Sequence, residues 1–196
     1  MKIQVVATII VALGILTGCA GDRGLINAMS TSTRQDVFQD FHGTRHIPPG
    51  FASLRVVSSL KTHMPGTYSD KDLHGTPEYQ LLVNIDGQAE HLTASLREER
   101  RGQPALRDSE EGHGIRYLFQ KQYLLKSGIH RVFVSLPFDG AAVEREIYLA
   151  DGSSNTLVLE PVYSLARDKR RIGFYTKTSF KEGIKGLTAK INEGDL

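Results

Sequence analysis

Apolar residues recur at every second position through most of this chain, and that period restricts the fold more than any other feature of the sequence. Leu54, Val56, Ser58 and Leu60 alternate with Arg55, Val57 and Ser59, and Tyr79, Leu81, Val83 and Ile85 repeat the pattern. Ile115, Tyr117 and Phe119 alternate with Arg116, Leu118 and Gln120; further runs are Val132-Val134-Leu136, Val143-Ile147-Leu149, Leu157-Leu159 and Ile172-Phe174-Thr176. Successive side chains of a strand point to opposite faces, so each run reads as a half-buried antiparallel strand. Asp86-Gly87, Asp139-Gly140 and Asp151-Gly152 each fall between two such runs. Asp-Gly supplies the positive backbone dihedrals of a tight hairpin. In the tail, Gly183 and Gly186 weaken a helix, so Leu187, Ala189 and Ile191 read as one more strand. The expected fold is all-β, an antiparallel β-sandwich of about seven to eight strands over residues 51–196.

The residues ahead of that domain have a different character. After Lys2 the chain is apolar from Ile3 to Leu16, interrupted only by Gln4 and Thr8. A charged start and a short apolar core make an export signal. A membrane-spanning helix needs roughly 20 apolar residues. The segment runs into Leu16-Thr17-Gly18-Cys19, which resembles the bacterial lipobox. The resemblance implies cleavage before Cys19, a diacylglycerol on its thiol and usually an acyl group on the new amino terminus. Two or more chains anchor a protein stably where one does not. Cys19 is the sole cysteine, so nothing beyond it forms a disulfide, a thiolate metal site or a cysteine nucleophile. Ala20 follows, where an Asp would resemble an inner-membrane retention signal, and this favours the periplasmic face of the outer membrane. The expected division is therefore a signal at 1–18, a lipidated amino terminus and flexible tether at 19–50, and the sandwich. A single helical turn is expected in the tether around Asp36-Val37-Phe38, before Ile47-Pro48-Pro49-Gly50 closes it.

Residues 125–163, from Leu125-Lys126-Ser127-Gly128-Ile129-His130 to Leu157-Val158-Leu159-Glu160-Pro161, resemble the PEGA-type β-module of bacterial envelope proteins. The usual Gly-Tyr between strands is replaced here by Phe138-Asp139-Gly140. The resemblance implies a surface-associated β-sandwich with a structural or binding role, without assigning any residue to it.

Charge narrows the function classes. The chain carries 24 Lys+Arg and 22 Asp+Glu, too balanced for a nucleic-acid binder. Neither a Gly-x-Ser-x-Gly elbow nor a phosphate-cradling glycine loop is present, and Ser58-Ser59-Leu60-Lys61, the one match to Ser-x-x-Lys spacing, falls within an alternating strand run. No enzyme activity and no cofactor are expected.

Two long connections hold the remaining candidates, since long loops are usually functional or disordered. Residues 61–78 carry His63, Asp70, Asp72 and His74, whose spacing matches no compact ligand motif and reads first as a polar surface loop. His63, His74 and His113 are the alternative, a metal or small-ligand set. Residues 97–114 mix Arg97, Arg100, Arg101 and Arg107 with Glu98, Glu99, Asp108, Glu110 and Glu111. Such a cluster is solvated and self-paired, or else docks an anionic partner through its arginines. The leading expectation is a lipid-anchored cell-envelope protein, attached to the membrane through Cys19, with a non-enzymatic binding or scaffolding role toward an envelope protein or polysaccharide. A periplasmic metal or small-ligand binder is the alternative, and a hydrolase with a dispersed site ranks below it.

Overall fold

The long alternating run after Gly50 becomes the central strand of the larger of two sheets. The computed structural model describes residues 23–42, 46–100, 109–165 and 178–193. Along the chain lie α1 (Arg23–Met29), β1 (Phe38–Asp40), β2 (Phe51–Thr62), β3 (Leu81–Ile85), β4 (Gln88–Leu92), β5 (Ser95–Glu99), β6 (Gly114–Lys126), β7 (Gly128–Leu136), β8 (Ala141–Leu149) and β9 (Ser154–Tyr163). A 3-10 turn (Phe180–Glu182) and β10 (Ile184–Glu193) complete it. The larger sheet has the order β1-β6-β2-β9-β10, with β5 also on β6, and the smaller is β4-β3-β7-β8. Two sheets face to face make the all-β sandwich expected from the alternation. Its pairs are antiparallel except β2 and β9, which run parallel from Ser53↔Ser154 to Ser58↔Leu159. Ten strands stand among the described residues rather than seven or eight, because β1, β4 and β5 are too short and too polar to show alternation.

The core lies between the sheets. From the larger come Leu54, Val56 and Leu60 of β2, Tyr117, Phe119, Tyr123 and Leu125 of β6, and Leu157 and Leu159 of β9. Opposite them lie Leu81, Val83 and Ile85 of β3, with Val132, Val134 and Leu136 of β7. Each of these is at most 1% exposed, so truncating a leucine among them would cost about 2–5 kcal/mol.

The segment expected as a tether is partly built into the domain. All five residues of β3 are buried, not every second one, because α1 covers the outer face of the smaller sheet. Ile26 of α1 packs on Leu82 and Phe133 there, and the Asn84 side chain donates to the Met29 carbonyl at 2.7 Å. The helical turn expected at Asp36–Phe38 gives way to β1, which pairs Phe38 with Leu125 of β6. Leu82 and Phe133 explain the correction, since outward-facing apolar side chains need a cover and residues 23–29 supply it.

The three Asp-Gly turns differ. Asp86-Gly87 closes a two-residue hairpin between β3 and β4, with φ of 48° and 93°. Asp139-Gly140 ends the longer β7–β8 connection, whereas Asp151-Gly152 carries the chain from one sheet to the other. The tail is a strand as expected. Ile172, Phe174 and Thr176, the signal at 1–18 and Cys19 lie outside the described residues.

Candidate metal centre

Beyond β2 the chain is an exposed polar loop from Pro65 to Lys71, as expected, but His63 before it and His74 after it are buried. It doubles back so tightly that a Cβ on Gly75, at φ 81°, would meet the Pro65 ring at 2.5 Å. Short local bonds hold the fold of this segment: Thr67 Oγ1 to the Met64 carbonyl at 2.6 Å, and Thr76 Oγ1 to the Leu73 carbonyl at 2.7 Å. The Tyr117 hydroxyl of β6 ties it down by donating to the Thr76 carbonyl at 2.7 Å. His63 and His74 are buried at 6% and 8% exposure, and the Asp72 side chain is 9% exposed between them. Asp70 is exposed and takes no part.

Asp72 joins the two histidines. Its Oδ1 accepts from the His74 backbone N–H at 3.0 Å, the short-range turn that Asp favours two residues ahead. The same oxygen lies 2.7 Å from His74 Nδ1, and Oδ2 lies 3.2 Å from His63 Nε2. The far nitrogen of each ring has its own acceptor: His63 Nδ1 faces the Met64 carbonyl at 3.0 Å, and His74 Nε2 faces Asp139 Oδ1 at 3.2 Å. Asp139 is held in turn by the Tyr79 hydroxyl on Oδ2 at 2.5 Å and by the Ile184 N–H on Oδ1 at 3.3 Å. Burial first, and then the charge of Asp139, push the Tyr79 phenol well above its ordinary range, so it stays a neutral donor. Burial opposes charge on His74, but the bonds to Asp139 and Asp72 outweigh it and raise its pKa.

Every imidazole nitrogen here meets an oxygen acceptor. A neutral imidazole has only one N–H, so one nitrogen of each ring would point a lone pair at a lone pair. One divalent cation shared by His63 Nε2, Asp72 and His74 Nδ1 would relieve this, and it matches how proteins build metal sites, where a ligating histidine donates its other N–H to a carbonyl or carboxylate. The donor atoms lie within 4.8 Å of one another. An ion bound tetrahedrally at about 2.0–2.2 Å sets its donors roughly 3.2–3.6 Å apart, so closing around it requires shifts of about an ångström.

The three ligand side chains are among the lining of an open cleft of about 570 Å³, together with Tyr68, Ser69, Lys71, Phe138 and residues 181–183. Tyr68 stands edge-on to His63 and Phe138 edge-on to His74, at 4.6 and 5.0 Å between ring centres. The Tyr68 hydroxyl donates to the Lys181 carbonyl at 3.0 Å, joining the 63–80 segment to the 3-10 turn.

No known protein family, curated protein or solved structure matches this chain. The site is therefore read from its own chemistry.

Of the histidines singled out in the sequence, His63 and His74 come together and His113 does not. His113 sits just ahead of β6, half exposed, with Nε2 2.8 Å from Glu98 Oε1. Arg97 pairs with Glu99 and Arg100 with Glu98, so both are engaged within their own segment. Arg101 and Arg107 lie outside the described residues. Asp139, Tyr79, Tyr68 and Phe138 went unmarked in the sequence: Asp139 looks like a turn residue and Tyr79 like a strand residue. The Asp72-Leu73-His74 triplet was the one legible local signal, because an Asp that bonds the N–H two residues on also brings its carboxylate toward that residue's ring.

Proposed function

We propose that this chain is a divalent transition-metal-binding β-sandwich, held at a membrane surface by lipid on Cys19. One observation carries the metal reading: His63 Nε2 and His74 Nδ1 both face Asp72, while the other nitrogen of each ring is committed to an oxygen acceptor. Imidazole and carboxylate donors suit zinc and its neighbours, and the three side chains line an open cleft that an ion can reach. The Leu16-Thr17-Gly18-Cys19 motif supports membrane attachment, and with it a metal site at the cell envelope.

Elemental analysis of tag-free protein, followed by titration with Zn2+ or Co2+ against a competing chelator, tests the metal reading. The expected result is one ion per chain, with binding weakened at least about 100-fold in His63→Ala and His74→Ala and unchanged in His113→Ala. Sub-stoichiometric metal, or equal loss in all three variants, would overturn it. Intact mass of protein taken from its native membrane, compared with Cys19→Ala, tests the anchor.

A further inference from the structure

We propose that the metal centre takes an oxyanion ligand from solution, a small organic carboxylate or phosphate, at a coordination position that opens into the cleft. This rests on the metal-binding reading above. His63, Asp72 and His74 supply three donors. A four-coordinate ion held by three protein ligands keeps its fourth position for a non-protein one, which separates open zinc sites from closed structural ones.

The fold decides where that position points. All three ligand residues line the cleft, whereas Tyr79 and Asp139 do not and stand behind His74. The rear of the site is thus filled by its supporting side chains and the core, and the free position faces the cleft. Tyr68 and Phe138 flank it as aromatic walls, 64% and 39% exposed, and offer apolar surface to the body of a ligand. Lys71 lies on the same lining, and its ammonium has no carboxylate partner among the described residues. The cleft, about 570 Å³, is open to solvent, so a ligand reaches the metal position directly. Lys71 and Lys181 against Glu182 on the lining, with the aromatic rings, favour a negatively charged oxygen donor on a compact apolar body.

Protein spanning residues 20–196, loaded with one equivalent of Co2+, gives a visible spectrum that reports coordination, and inorganic phosphate, acetate and benzoate are the probes. Each should shift the spectrum saturably, and benzoate should bind about tenfold more tightly than acetate through its ring contacts. Lys71→Met should weaken anion binding about three- to tenfold while leaving Co2+ affinity within about twofold of the parent. A response to phosphate alone would overturn the role given to Tyr68 and Phe138 in holding the apolar body of a ligand. A Co2+ spectrum that none of the three anions alters at concentrations on the order of 50 mM would overturn the proposal with the metal reading intact. Failure to bind Co2+ at all would remove the metal reading itself, and this inference with it.

Discussion

The Tyr79 hydroxyl donates a 2.5 Å hydrogen bond to Asp139, whose other oxygen lies 3.2 Å from His74 Nε2. A core tyrosine two residues ahead of β3 and a turn residue after β7 thereby set the orientation of a ring that presents its opposite nitrogen to Asp72. Supporting partners of this kind typically change metal affinity by about 10–100-fold when removed. Tyr79→Phe keeps the ring packing on Tyr117 and deletes only the donor, so metal affinity should fall about tenfold. Chelator competition measures this, and unchanged affinity would show that Asp139 does not depend on Tyr79.

Gly75 tests the loop independently of any ligand atom. Its φ of 81° and the 2.5 Å approach of the Pro65 ring leave no room for a side chain. Gly75→Ala should destabilise the domain by about 1–3 kcal/mol in denaturant unfolding and weaken metal binding, because Asp72 and His74 ride on the displaced segment.

Acid sensitivity should arise away from the cleft. Bonding to Arg116, with help from Arg97 and Lys61, holds the Glu99 carboxyl down at about 2. A folded-state pKa below the unfolded value contributes stability that is fully present above the ordinary carboxylate range and is lost as pH falls toward the folded value. Stability should therefore decline between roughly pH 4.5 and 2, and Glu99→Gln should flatten that part of the profile. Denaturant midpoints across this range measure the effect; an identical slope in the variant would exclude Glu99 as its source.

The cover over the smaller sheet makes a fourth prediction. Ile26 is 2% exposed against Leu82 and Phe133. Ile26→Ala should cost about 2–4 kcal/mol and speed amide exchange in β3 and β7 more than in β2 and β6. Uniform exchange across both sheets would mean that α1 is only loosely attached.

Alternation at Leu54 to Leu60 and Ile115 to Phe119, with Asp-Gly turns between runs, was sufficient to define an all-β sandwich, because strand period is a local property of the chain. Local sequence could not reveal that Leu82 also faces a buried surface, since its cover arrives from residues 23–29, beyond any window that contains β3. Nor could it show the parallel pairing of β2 with β9, which joins positions about a hundred residues apart. The candidate site divides the same way. Asp72 and His74 are neighbours in sequence, and His63 is near enough to be suspected with them. Asp139 and Tyr79 enter only when the sandwich brings the β7–β8 turn against the 63–80 segment, so the partners that aim His74 are a product of tertiary packing, while the donor residues themselves were written in the chain.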